Sequence, residues 1–150
     1  IVDVTSLLHE TATLLQRKAT EKQMTIHLET EEEVFIRADL NRLKQVVVNL
    51  VANALNYTPN GGNVWISLED GEEAVMLRIK DDGIGIHPKE MQRIFERFYR
   101  VDKARSRNSG GTGLGLAIVK HIIDLHHGTI DVESEENQGT TFTIRLPKKG

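Results

Sequence analysis

Asp39-Leu-Asn-Arg-Leu-Lys-Gln-Val-Val-Val-Asn-Leu-Val-Ala-Asn-Ala-Leu-Asn56 is the stretch whose reading decides the rest of the chain. Leu43, Val46, Val47, Leu50, Val51 and Ala54 recur at the period of a helix with one wide apolar face, running from Leu40 to about Asn56. Asp39 is placed to cap its first turn, and Pro59-Asn-Gly-Gly62 to stop it. Asn49, Asn53 and Asn56 fall at i, i+4 and i+7, on one stripe beside that face. Asparagine is a poor helix former, so three on one stripe ask for a reason. Amide oxygens are hard neutral ligands, suited to a Mg²⁺ that keeps waters and shares phosphate oxygens; a solvated polar stripe is the other reading.

Upstream of this helix, Ile1–Val4 alternates like a short edge strand. Leu7, Leu8, Ala12, Leu14, Leu15 and Ala19 predict a helix over Ser6 to about Glu21, with Thr5 as its N-cap. Met24–Leu28 and Val34–Ala38 read as two strands around the acidic turn Glu29-Thr-Glu-Glu-Glu33. Downstream, Val64–Leu68 and Val75–Lys80 alternate across the turn Glu69-Asp-Gly-Glu-Glu73, a hairpin signature. Pro88 is placed to open a short helix to about Phe95. The run from Glu96 to Gly113 lacks periodicity and reads as a long loop, a length usually reserved for function or disorder. A helix from Leu114 to His126, with Gly128 as its C′ residue, precedes two closing strands, Thr129–Ser134 and Thr140–Leu146. Tight turns and helices able to lie on one side predict an α+β sandwich: a mixed, mostly antiparallel sheet covered on one face by about three helices.

Bulk properties narrow the function. The 150 residues are 39% hydrophobic, enough for one domain with a core, and the net charge is -3 with a pI near 6.1. That balance speaks against a dedicated nucleic-acid binder. No cysteine is present, so disulfides and thiolate metal sites are excluded. No apolar run approaches the roughly 20 residues that span a bilayer. The chain begins at Ile1 with no signal-peptide pattern, and is expected to be a fragment of a longer protein.

Three stretches could carry chemistry. Gly110-Gly-Thr-Gly-Leu-Gly-Leu-Ala-Ile-Val-Lys120 sets glycines before an apolar helical pattern, where free backbone N–H groups could receive a phosphate; a loop capping a core helix fits as well. Asp81-Asp-Gly-Ile-Gly85 follows a strand, and its aspartate could accept a hydrogen bond from an exocyclic amine such as that of adenine; an ordinary turn is the alternative. Arg97-Phe-Tyr-Arg-Val-Asp-Lys-Ala-Arg-Ser-Arg107 could bring cations to a polyphosphate, or be a solvated basic loop. No P-loop, no G-x-G-x-x-G after a strand and no H-R-D or D-F-G signature occurs. His121 and His126 splay around their helix, which disfavours a shared metal.

Together these segments resemble the catalytic and ATP-binding domain of bacterial sensor histidine kinases. Asn49-Leu-Val-Ala-Asn-Ala-Leu-Asn-Tyr-Thr58 resembles the N box, Asp81-Asp-Gly-Ile-Gly85 the G1 box, and Ile94-Phe-Glu-Arg-Phe-Tyr-Arg100 the F box. Gly111-Thr-Gly-Leu-Gly-Leu116 resembles the G2 box, and Gly139-Thr-Thr-Phe142 the last glycine motif. Five boxes in order are far more specific than any one. Phe98-Tyr-Arg-Val-Asp-Lys-Ala-Arg105 is similar to the phosphate-regulon sensor kinases of Gram-positive bacteria.

The resemblance implies the Bergerat fold, shared with type II topoisomerases, Hsp90 chaperones and mismatch-repair ATPases, and a protein-histidine kinase using ATP and Mg²⁺. Asp81 would hold the adenine amine, with Gly83, Gly85 and Ile86 along the ring and Thr140 lining the base pocket. Asn53 would ligate Mg²⁺ with Asn49 assisting, and Tyr57 would border the nucleotide. Asn56 stands where many relatives carry a phosphate-contacting lysine. Arg100 and Arg105 would reach the phosphates from an ATP lid over about Arg97 to Gly111. Gly111, Thr112, Gly113, Leu114, Gly115 and Leu116 would cradle them at the helix start. Hydrolytic relatives carry a glutamate where this chain has Asn49, and an amide cannot take a proton from water.

The expected acceptor is therefore a histidine on a separate upstream hairpin, with a response regulator as further partner and no nucleic acid. The isolated domain is expected as a monomer and the parent as a homodimer. A cytoplasmic location under a membrane-anchored parent is also implied. A Bergerat-type ATPase and a degenerate ATP-binding regulatory module are the alternatives. His9-Glu-Thr-Ala-Thr-Leu-Leu15 resembles a phosphoacceptor box but lacks its proline and shares this domain, so His9 is read as a surface histidine.

Overall fold

A computed structural model describes residues 1–30, 33–91, 93–95 and 115–148. The elements run β1 (Val2–Asp3), α1 (Val4–Glu21), β2 (Thr25–Glu29), β3 (Phe35–Ile36), α2 (Leu40–Asn56), β4 (Asn63–Asp70) and β5 (Ala74–Asp81). After them come α3 (Gly115–Leu125), β6 (Thr129–Glu135) and β7 (Gly139–Pro147).

The main sheet has five strands in the order β2-β4-β5-β7-β6. Only β2 and β4 pair in parallel; the other three ladders are antiparallel. Val64 and Ile66 of β4, Leu77 and Ile79 of β5, and Phe142, Ile144 and Leu146 of β7 point to one face and are buried. The three helices cover that face. Leu43, Val46, Val47, Leu50, Val51, Ala54 and Leu55 give α2 the buried side, each larger one contributing roughly 1.5–3 kcal/mol of transfer free energy. The opposite face stays open, with Trp65 stacked on His27 at 5.3 Å and Lys80 Nζ 5.5 Å from the Trp65 ring centre. The two-layer α+β sandwich read from the sequence is the fold observed.

Local expectations differ in four places. The N-cap of α1 is Asp3, whose carboxylate accepts from Ser6 N–H at 3.0 Å; Thr5 lies inside the helix and its hydroxyl accepts from Val34 N–H at 3.2 Å. The strands on either side of the acidic turn do not pair with each other: β2 joins the main sheet, whereas β3 pairs with β1 in a separate two-stranded sheet. From Pro88 the described residues form successive i→i+3 turns, Met91 N–H to Pro88 O and Arg93 N–H to Glu90 O, in place of a short α-helix. Finally, the C′ residue of α3 is His127, with φ 58, and Gly128 follows it. His127 N–H bonds Asp124 O and Gly128 N–H bonds Ile123 O, a Schellman closure. Gly128 answers to space instead: a Cβ there would lie 2.4 Å from Arg145 O.

Candidate nucleotide site at the end of the fifth strand

Asp81 is the last residue of β5, opposite Val64 on one side and Thr140 on the other. Alternation turns it inward with Leu77 and Ile79, so a carboxyl ends a row of apolar side chains and is only 6% exposed. Its Oδ1 accepts from Gly83 N–H at 2.9 Å. Burial raises its pKa from 3.8 to about 6; the backbone N–H groups of Gly83 and Thr140 pull it down, and the charge of Asp82 pushes it up. A buried acceptor at the mouth of the apolar layer suits a neutral donor on a flat ring.

Glycines make room around it. A Cβ on Gly83 would meet Tyr57 O at 2.4 Å and Thr58 Oγ1 at 2.8 Å, so this loop lies against the end of α2. Ile84 N–H donates to Tyr57 O at 3.1 Å, which ties the Asp81–Gly85 loop to the helix bearing the asparagines. Gly139, at φ +124, passes so close that a Cβ would sit 1.9 Å from Asp81 O.

A hydroxyl pair closes the far side. Ser134 Oγ accepts from Ile86 N–H at 2.7 Å, donates to Gly139 O at 3.0 Å and lies 2.8 Å from Thr140 Oγ1. Thr58, fully buried, donates its hydroxyl to Ala54 O at 2.6 Å.

Of the residues singled out in the sequence, Tyr57, Asp81, Gly83, Gly85, Ile86 and Thr140 therefore belong to one bonded neighbourhood. Asn53 and Asn56 lie at the same end of α2, Tyr57 N–H closing on Asn53 O at 3.1 Å, and Asn49 lies one turn before them. All three asparagines are half-buried. Gly115 opens α3, which packs on α2, and Leu116 is partly buried against the core. Arg100, Arg105, Gly111, Thr112, Gly113 and Leu114 lie outside the described residues. Thr58 and Ser134 escaped the sequence reading. Ser134 had a signal, a polar residue in phase with Ile130 and Val132; Thr58 had none, because burial beyond a helix end has no period.

Away from this site, His126 bridges elements: its Nε2 accepts from Asp39 N–H at 3.1 Å and its Nδ1 lies 2.8 Å from Ile122 O. His9 is exposed in an open groove with Ser6, Glu10, Thr13, Leu14 and Lys44.

Residues 38–150 match the family described as histidine kinase-, DNA gyrase B-, and HSP90-like ATPase, and the chain belongs to it. Within that family it is a catalytic domain of the sensor histidine kinase type. It is 46% identical over 121 residues to the sensor histidine kinase WalK of Bacillus subtilis (strain 168), covering 79% of this chain and 20% of that protein. With the sensor protein SrrB of Staphylococcus aureus (strain NCTC 8325 / PS 47) the identity is 51% over 110 residues, 73% of this chain and 19% of that one. The chain thus spans about a fifth of the length of these relatives. The nucleotide-free catalytic domain of histidine kinase ThkA superposes with a TM-score of 0.86 at 33% identity, covering 99% of this chain and 94% of that one. ThkA is also known in complex with the response regulator protein TrrA, where the TM-score is 0.78 at 29% identity, over 98% of this chain and 41% of that one.

Proposed function

We propose that the domain binds Mg-ATP, with its base on Asp81, and passes the γ-phosphoryl group to a histidine on a helical hairpin of the same kinase. The observation that carries this reading is the inward carboxyl of Asp81, 6% exposed and framed by glycines at which a Cβ would collide. A carboxyl so placed suits the amine edge of a flat ring; Gly85 and Ile86 would run along the ring, and Thr140 beside Asp81.

Asn53, assisted by Asn49, would present amide oxygens to Mg²⁺. The donor set fits: hard neutral oxygens a helical turn apart, half-buried, with no side-chain hydrogen bond to another described residue. The ion supplies charge neutralisation on the phosphates when bound. Tyr57 would border the nucleotide, with Asn56 facing the phosphates in place of a lysine. Arg100, Arg105 and the Gly111–Leu116 segment would hold the triphosphate, the last at the start of α3.

Asn49 bears on the fate of the phosphoryl group. An amide cannot deprotonate water, so an acceptor that is already nucleophilic, a neutral imidazole, is favoured over hydrolysis. Hydrolysis as the main activity is disfavoured for the same reason. A response regulator would then draw the phosphoryl group from that histidine. Among the described residues no helix is long and apolar enough to cross a membrane. Membrane anchoring, dimerisation and phosphate-regulon type are properties we assign to the longer kinase.

The decisive experiment supplies radiolabelled ATP and Mg²⁺ to a longer form that carries the hairpin. Acid-labile, base-stable label on histidine is the expected result. Free phosphate without labelled protein points to an ATPase, and tight nucleotide binding with neither product points to a regulatory module.

A further inference from the structure

On the outer face of the sheet, where β4 begins and β5 ends, Asn63 and Asp82 are locked together. Asn63 N–H donates to Asp82 Oδ1 at 2.7 Å, and Asn63 Nδ2 donates to Asp82 Oδ2 at 3.0 Å. Asp82 N–H returns a bond to Asn63 O at 3.3 Å. The antiparallel ladder ends one step earlier, at Val64 opposite Asp81. These bonds therefore add one more rung, made partly of side chains, just beyond the last regular pair.

That rung lies between two glycine segments. Gly62 precedes Asn63, and Gly83 and Gly85 follow Asp82, so both chains enter glycine segments at this point. Gly62 is itself pressed against the pair, since a Cβ on it would meet Asp82 Oδ1 at 2.8 Å and Thr58 Cγ2 at 2.2 Å. The amide of Asn63 is fixed from behind by His27, whose Nε2 lies 3.0 Å from Asn63 Oδ1 while its ring stacks on Trp65. A continuous set of contacts thus runs from the open sheet face to the residue next to Asp81.

We propose that Asn63 and Asp82 are a positioning pair for the nucleotide base: clamped together they fix the point where the chain leaves β5, and with it the direction of the Asp81 carboxyl. In this arrangement neither residue would touch the nucleotide itself. The inference rests on the reading of Asp81 as the acceptor for adenine. Asp82 is exposed and Asn63 half-buried, so water can replace the Asp82 carboxylate at small cost to the fold; the loss falls on the aim of one inward side chain. The ionisable groups around the clamp are Asp81 on the inner side, with Lys80 and His27 at the Trp65 ring on the outer side.

Calorimetric titration of this chain with Mg-ATP and with inorganic triphosphate tests the pair. Asp82→Ala should weaken ATP binding about tenfold and leave triphosphate binding unchanged. Exchanging the two side chains in the double variant Asn63→Asp/Asp82→Asn rebuilds the carboxylate–amide contact and should return ATP affinity to within about twofold. Asp82→Asn alone removes a negative charge beside Asp81, so the acid limb of its ATP-binding profile should move to lower pH. A role confined to the stability of the fold would weaken ATP and triphosphate alike and would show in the melting curve.

The inference is overturned if Asp82→Ala binds ATP as the parent does, if both ligands weaken equally, or if the exchanged pair fails to recover with a normal melting curve. Asp82→Ser replaces the alanine variant should that one not fold. Asp81→Asn separates the two levels of the argument. If it loses ATP while Asp82→Ala keeps it, only the clamp fails. If Asp81→Asn itself binds ATP normally, the placement of the base fails.

Discussion

Asp81 is a destabilising residue kept at a useful place. Its carboxyl is pushed up to about 6 in the folded chain from the 3.8 of an unperturbed aspartate, so the folded state holds its proton more tightly than the unfolded state does. Stability therefore falls as pH rises from about 4 through 6, and above that range the ionised carboxyl costs about 3 kcal/mol. Asp81→Asn removes that cost and keeps an oxygen for Gly83 N–H, but turns an amide nitrogen toward the donors around it. A net gain of about 1 kcal/mol at pH 7, turning into a net loss of about 1 kcal/mol by pH 4, is expected in urea denaturation. ATP binding should be lost in the same variant, because the base amine needs an acceptor where the amide offers a donor. In the parent, only the ionised carboxyl has both oxygens free to accept. ATP affinity should then decline below about pH 6, approaching tenfold per unit, in calorimetry from pH 5 to 8. A flat profile, or a rise toward acid, would remove Asp81 from the base.

At the scale of elements, the sequence spoke clearly wherever one periodicity and one cap agreed. The span of α2 from Leu40, capped by Asp39, was legible because its apolar face repeats through four turns and a carboxylate stands before the first. The start of α1 was not, since Asp3 and Thr5 are both competent caps and only the tie from Val34 N–H to Thr5 Oγ1 decides between them. Gly128 misled for a related reason. A glycine after a helix suggests a left-handed residue, yet here His127 takes that conformation and Gly128 makes room for β7. The two readings are separable by a pair of substitutions. His127→Gly should raise stability by roughly 0.5–1 kcal/mol, relieving a left-handed histidine. Gly128→Ala should lower it by about 2 kcal/mol or more, forcing a Cβ into Arg145 O. A loss of stability in His127→Gly would restore Gly128 as C′, since Gly128→Ala is expected to lose under either reading.

For the whole molecule, the two-layer plan followed from alternation and helical period, but the strand order did not. The acidic segment between β2 and β3 reads as a turn, whereas the strands it joins lie in different sheets and β2 finds a parallel partner in β4. Nonlocal pairing of this kind leaves no mark on local pattern. The site shows the same division: the asparagine stripe and the Asp81 loop were visible as motifs, while the Tyr57 O to Ile84 N–H bond that joins them is a product of the fold.

That join has a consequence for the molecule as a unit. Helix α2, the β5 exit and the β6–β7 hairpin meet around Asp81 through backbone bonds and glycine contacts, so a ligand there would be held by both layers together. Mg-ATP at about 100 times its dissociation constant should stabilise the folded chain by about 2.7 kcal/mol, a rise in melting temperature of roughly 5–10 °C for a domain of this size. Trp65, the single tryptophan, stands on the open face of the sheet, while far-UV circular dichroism reports chiefly on the helices. If the site bridges the layers, both probes should move by the same amount with nucleotide and remain coincident. A shift seen by dichroism alone would mean that the ligand engages the helical layer without the strand end, and a full shift in Asp81→Asn would mean that the base lies elsewhere.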